Sequence, residues 1–248
     1  MRMRKKPNLE PRLEKCSDYI IKDLFDHSGK WLEDYPGYKK LFVELGCGKG
    51  RFTLGTALDN PDTLLIAVEK VPDAMVVAAE RARDGEAYNA RFIDADVVNL
   101  GQMFEKGEID RIYINFCDPW PKSRDAKYRL TAPSFLRLYA DALKEGGEIH
   151  FKTDNLPLFT WSVEQFKSEG WELYDITNDL HGNGICGIMT DYEAKFHEQG
   201  IKINRLSAKK TAGTKTTAAG PAERLKNASL TDARGYEESR RSHLNEAE

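Results

Sequence analysis

The sequence is poor in the features that mark several common protein classes. Cysteine is scarce: Cys16, Cys47, Cys117 and Cys186 are the four in 248 residues, and they lie far apart. No CxxC pair and no Cys/His cluster occurs, so a structural zinc site is not expected. Scattered single thiols suit a reducing cytosol. The five histidines are scattered too, which leaves no plausible metal-ligand set. Long apolar runs are missing. Stretches such as Met75 to Ala79 are short, against the ~20 residues that span a bilayer. The basic start, Met1 to Lys6, has no apolar h-region after it, so a secretory signal is not expected and a cytoplasmic location is. A large excess of charge of one sign is also absent: 37 Lys and Arg oppose 40 Asp and Glu, a formal net charge of −3. Any nucleic-acid contact must then come from locally clustered cations.

What is present is an ordinary globular core fraction, with 40% hydrophobic residues. The length fits one large domain or two small ones. Short β-rich runs alternate with helical patterns. The expected strands are Leu41 to Leu45, Thr63 to Val68, Arg91 to Ile93, Arg111 to Cys117 and Glu148 to Thr153, with late ones at Trp171 to Thr177 and Ile201 to Ser207. Pro72 and Pro133 each suit the first position of a helix. Met75, Ala78, Ala79 and Ala82 follow the first proline on one face. Phe135, Leu138, Tyr139 and Ala142 follow the second, with Gly146-Gly147 expected as the stop. A third helix carries Phe159, Val163 and Phe166. These stripes are core faces. Alternation of this kind predicts an α/β fold, an open and mostly parallel sheet with helices on both faces. Residues 1–35 are expected to form an N-terminal extension with a helix, and 36–206 the main domain. Residues 207–248, rich in Ala, Thr, Lys, Gly and Glu, read as a disordered tail.

Ligands of such sheets bind beyond the C-terminal strand ends, so the residues after each strand carry the functional reading. Glu44-Leu-Gly46-Cys-Gly48-Lys-Gly50 follows the first strand. Its glycines allow a sharp turn and a close backbone approach to a ligand. A dinucleotide GxGxxG would need glycine at position 51, where Arg51 stands. The observed pattern resembles motif I of the class I methyltransferases, which bind S-adenosylmethionine. Glu69 ends the second strand, 19 residues after Gly50, where a carboxylate can accept from two vicinal ribose hydroxyls. Asp94-Ala-Asp96 ends the third strand. Asp96 suits an adenine amino group and Asp94 the cap of the next helix. Glu44 faces the same crevice. Three acids favour a cationic cofactor over a pyrophosphate.

After the fourth strand comes Asp118-Pro119-Trp120-Pro121-Lys122-Ser123-Arg124-Asp125-Ala126-Lys127-Tyr128-Arg129-Leu130. The two prolines stiffen it. Asp118 is placed to project near a reacting methyl. Lys122, Arg124, Lys127 and Arg129, interleaved with Trp120 and Tyr128, suit phosphate contacts and base stacking. This segment is similar to the DPWPKxRHxKRRL signature of bacterial tRNA (guanine-N7)-methyltransferases of the TrmB type. Phe151-Lys152-Thr153-Asp154-Asn155 resembles their FKTDN segment, and Met189 to Phe196 their MTEYExKF motif. The resemblance spans roughly residues 1–206. It implies a class I, Rossmann-like, seven-stranded sheet and S-adenosylmethionine as methyl donor, held by Glu44, Gly46, Gly48, Gly50, Glu69, Asp96 and Asp118. It implies Asp118 as the catalytic residue and tRNA as substrate, methylated in its variable loop. By the same resemblance Lys122, Arg124, Lys127, Arg129, Asp154, Thr190, Asp191, Tyr192 and Glu193 contact the RNA. No membrane or metal partner is implied, and the chain is compatible with a monomer or a homodimer. Asp125 stands where the family has His, Tyr128 where it has Arg, and Asp191 where it has Glu. The first two lower the charge of the run and predict weaker or more salt-sensitive RNA binding.

Three other readings stay open at this level. An exocyclic-amine (adenine N6) methyltransferase would share the fold, though its (D/N)PP(Y/F) motif lacks a Trp between the prolines. A nicotinamide-dependent oxidoreductase would need the missing third glycine. An RNA-binding module without catalysis would leave the strand-end carboxylates without a purpose.

Overall fold

A computed structural model describes residues 6–23 and 25–217. Its strands are β1 (Ile20–Ile21), β2 (Lys40–Leu45), β3 (Thr63–Glu69), β4 (Ala90–Asp94), β5 (Ile109–Asn115), β6 (Leu143–Thr153), β7 (Glu172–Thr177) and β8 (Asn204–Lys209). Its helices are α1 (Leu9–Glu14), α2 (Trp31–Asp34), α3 (Arg51–Asp59), α4 (Pro72–Asp84), α5 (Leu100–Met103), α6 (Pro133–Ala142), α7 (Leu156–Ser168) and α8 (Asp191–Glu198). The strands form one sheet in the order β1-β4-β3-β2-β5-β6-β8-β7. All pair in parallel except β8, which runs antiparallel to both β6 and β7.

Alternation along the central strands separates two cores. Leu41, Val43 and Leu45 pack with Leu100, Leu136, Tyr139 and Leu158 on the face of α5, α6 and α7. Phe42 packs the other way, with Phe52, Ala57, Met75, Ala78 and Ala82 of α3 and α4. Glu44 shares that second face, which is why its carboxylate meets α3.

The expected architecture is present, with an eighth strand added. The extra one is β1, two residues paired to Phe92 and Ile93, too short to show a period. Helix α6 ends at Ala142 rather than at Gly146-Gly147. Its chain passes directly into β6, and both glycines lie inside that strand. The N-terminal part holds two short helices besides β1. The expected tail boundary is corrected: β8 continues to Lys209, and Lys210 Nζ donates to the Leu143 carbonyl at 2.7 Å. Backbone pairing to Glu148 and Ile149 orders a stretch whose composition looks unstructured. The rest of the expected tail, 218–248, lies outside the described residues. No helix among the described residues is long and apolar enough to cross a membrane.

The strand order reverses at β2, which pairs with β3 on one side and β5 on the other. Leu45 stands opposite Val68 and Ile114. The segments leaving β2, β3 and β5 therefore emerge side by side, where an open α/β sheet binds its ligand.

Candidate active site

The turn after β2 is shaped by left-handed glycines. Gly48 has φ +56° and Gly50 φ +74°, a region L side chains adopt at a cost. The two differ in what surrounds them. A Cβ at Gly50 would come within 2.6 Å of the Ala78 Cβ, so that glycine lets α3 pack on α4. A Cβ at Gly48 would meet nothing within 4 Å, because that glycine faces open space. The Gly48 amide donates to Glu69 Oε2 at 2.9 Å, and the Val71 amide to Glu69 Oε1 at 3.0 Å. Glu69 thus ties the turn after β2 to the turn after β3.

These turns enclose a cleft of about 560 Å3. Glu44 and Glu69 are both buried in its wall. Glu44 accepts from Thr53 Oγ1 at 2.6 Å and from Asn115 Nδ2 at 3.1 Å. A buried carboxylate needs such partners. Burial pushes the Glu44 carboxyl up, against the pull of these two hydrogen bonds and of Lys152. Burial likewise raises Glu69, against the Gly48 and Val71 amides. Lys49, Arg51 and Lys195 line the same cleft and are exposed. Glu44 and Glu69 thus lie deep in the cleft, with Lys49, Arg51 and Lys195 at its rim.

Asn115 and Phe116 close the cleft beyond β5. Asn115 Oδ1 is buried with no partner among the described residues. Phe116 holds φ +54° while its amide donates to the Lys152 carbonyl at 2.9 Å. A bulky side chain in that region is rare and marks a held conformation. Cys117 follows. Burial pushes its thiol up to about 12, which favours the protonated form.

The last wall comes from α8. Thr190 caps it by accepting from the Glu193 amide at 3.0 Å, and Glu193 Oε2 accepts from the Thr190 amide at 3.1 Å, a capping box. The Glu193 carboxylate also accepts from Lys152 Nζ at 2.6 Å and pairs with His181 Nε2 at 3.0 Å. The Cys186 amide donates to His181 Nδ1 at 3.1 Å, which leaves Nε2–H to face Glu193. Burial pushes Lys152 down, and Glu193 opposes that shift. The network fixes α8, so that Thr190, Asp191 and Tyr192 line the cleft.

The structure brings together Glu44, Gly46, Gly48, Glu69, Thr190, Asp191 and Tyr192 in one cleft. Several residues differ from expectation. Glu193, expected at the RNA, is 0% exposed and spends its carboxylate inside the protein. Asp96, expected at an adenine, stands outside the cleft lining and caps the following turn by accepting from the Val98 amide at 3.1 Å. That is the cap the sequence suggested for Asp94. Asp191 is held by Arg81 at 2.6 Å. Gly50 packs rather than lines. Arg129, expected at the RNA, donates to the carbonyls of Pro119 and Trp120 at 3.0 Å each and lies 4.4 Å over the Trp161 ring. Asp118, Lys122, Arg124, Lys127 and Asp154 are exposed beyond β5 and β6. Missed by sequence reasoning were Asn115, Phe116, Lys152 and His181. A polar Asn ending an apolar strand was a usable signal for the first, whereas the positive φ of Phe116 leaves no trace in composition.

A central switch point, a glycine turn facing open space and a buried acidic floor are features of the class I methyltransferase fold. The crystal structure of the 16S rRNA methyltransferase KamB has the same fold, with a TM-score of 0.57 at 17% identity, covering 77% of this chain and 95% of that one. A family model described as a putative methyltransferase matches residues 38–206. The tRNA (guanine-N(7)-)-methyltransferase of Bacillus subtilis (strain 168) is 41% identical over 206 residues, 83% of this chain and 97% of that protein. The enzyme so named from Listeria innocua serovar 6a is 42% identical over 210 residues, 84% of this chain and 98% of that one. The chain belongs to the bacterial tRNA (guanine-N7)-methyltransferase family.

Proposed function

We propose that this protein methylates N7 of a guanine in the variable loop of tRNA, with S-adenosylmethionine as donor, in the cytoplasm. The observation that carries this reading is the identity to enzymes of that name over nearly their full length. The cleft fits the donor. Its sulfonium and ammonium charges suit a floor of Glu44 and Glu69, and the ammonium would supply the missing partner of Asn115 Oδ1. The open side of Gly48 leaves room for a ligand against the backbone. Glu69 is the residue placed for the ribose.

When bound, the donor supplies an electrophilic methyl. Guanine N7 has an in-plane lone pair and no proton at neutral pH, so the protein needs no strong base. Its task is to hold the base in line, which is positioning catalysis. Methylation makes the base cationic. We assign Asp118 and Asp154, exposed after adjacent strands β5 and β6, to offset that charge and to accept from the guanine N1–H and amino group. The rim cations Lys49, Arg51 and Lys195, with Lys122, Arg124 and Lys127 beyond β5, would take the phosphates.

The test is incubation of the full chain with methyl-labelled S-adenosylmethionine and two tRNAs that differ only at the variable-loop guanine. Label recovered as 7-methylguanine from the first alone is expected. Equal label on both would overturn the target site, and no label in the presence of bound donor would overturn the tRNA reading. Asp118→Ala with unchanged kcat would remove Asp118 from its assigned role.

A further inference from the structure

We propose that Trp120 and Tyr128 form a stacking platform for one unpaired nucleobase of the RNA. The inference rests on the tRNA reading above and adds a contact which that reading leaves open. Trp120 is 38% exposed and Tyr128 50%. Their ring centroids lie 5.3 Å apart at an interplanar angle of 50°, so the rings touch while both keep surface toward solvent. Of the four tryptophans, Trp31 and Trp171 are buried and Trp161 lies under Arg129. Trp120 is the most exposed of the four.

The fold invests in this exposure. Trp120 holds φ +41°, a left-handed conformation that a bulky residue adopts only when its surroundings impose it. Arg129 braces that turn: it donates to the carbonyls of Pro119 and Trp120 and lies over the Trp161 ring. Pro119 and Pro121 stiffen the backbone on either side of the indole. A rigid mount lowers the entropy lost when a ligand docks.

The surrounding charge points to the occupant. Lys122 and Arg124 are exposed, and Lys127 Nζ stands 5.1 Å from the Tyr128 ring. Cations beside aromatic faces bind phosphate and base together. The platform begins four residues after Phe116, which lines the cleft, so it would hold a base near the target guanine. Tyr128 stands where the family pattern has Arg. This chain therefore gives up one phosphate contact there and gains a ring. Asp125, 3.8 Å from Arg124 Nε, lowers the local charge further, which gives stacking a larger share of the binding.

The experiment measures the Kd of the full chain for labelled tRNA over a range of salt. The variants are Trp120→Ala, Tyr128→Ala, Trp120→Phe and Tyr128→Phe. Each alanine is expected to raise Kd about 5- to 100-fold. The slope of log Kd against log salt should not change, because no phosphate contact is lost. Both phenylalanine variants should bind close to wild type. Unchanged Kd in the alanine variants would overturn the proposal. So would a weaker Kd with a shallower slope, since the rings would then only hold the cations in place. As a second readout, tRNA should quench tryptophan fluorescence in wild type but not in Trp120→Phe, and inorganic polyphosphate should quench neither. Equal quenching by polyphosphate would count against a base contact. Wild type that makes no 7-methylguanine, with alanine variants that still bind tRNA weakly, would break the functional reading alone. Wild type that methylates, with alanine variants that bind normally, would break the platform alone.

Discussion

Glu44 and Arg129 carry opposite charges in two regions of the molecule, and each is pinned by partners of a different kind. Glu44 is the penultimate residue of a strand that is buried along most of its length, and side chains of α3 and β5 meet its carboxylate inside the protein. Arg129 directly follows a six-residue 3-10 turn, Ser123–Tyr128, with no buried residue, and it clamps two carbonyls of its own loop. The cleft floor is thus built by burial, and the loop beyond β5 by a local clamp. Burial suits a small cationic ligand, because the low dielectric strengthens its charge contacts. Exposure suits an RNA, which is too large to enter and brings its own charge.

The strongest way to break this comparison is to unpair the buried network. Glu193→Ala should cost about 3–5 kcal/mol, because Lys152 would be left buried without its carboxylate. Chemical denaturation measures it. Lys152→Met combined with Glu193→Leu should regain most of the loss, and a single variant as stable as wild type would show that α8 does not depend on the pair.

The floor itself is next. Glu69→Gln should weaken S-adenosylmethionine binding about 10- to 150-fold by calorimetry, the range for losing a hydrogen bond to a charged group. The wild-type carboxyl is raised by burial, and the cationic donor favours its ionised form. Wild-type affinity should therefore fall as pH drops, starting above the usual glutamate range, and converge on that of Glu69→Gln. Parallel profiles would remove Glu69 from the site.

In the loop, Lys122→Ala should lower the salt slope of tRNA binding by about one and leave the melting temperature alone. Arg129→Ala should lower it by more than one, because the clamp positions several cations at once. A drop of one in both would make Arg129 an ordinary phosphate contact, as the family pattern implied.

The smallest effect concerns His150. Burial pushes it down to about 4 from 6.5. The unfolded chain then takes up the proton first. The contribution to stability is complete above pH 6.5 and is lost as pH falls toward 4. Melting curves of His150→Gln should be flatter than wild type across that window, and parallel curves would rule the group out.

By itself the sequence determined the order and type of the main elements, because apolar spacing, Pro72 and Pro133 and the glycine turn are local signals. It also marked the acids after the strands and the basic run after β5. Tertiary structure alone decided what each charge does. Glu193 looks like an exposed member of a helix, but Lys152, 41 residues away, draws it inside. Arg129 looks like a fourth free cation, yet two nearby carbonyls and Trp161 occupy it. Asn115 gains its orphan oxygen only where β5 lies beside β2. Asp96, and not Asp94, became the cap. Residue type fixes the charge a side chain carries and the turn it favours. Its partner and its depth depend on contacts far along the chain, and those exist only once the sheet is assembled.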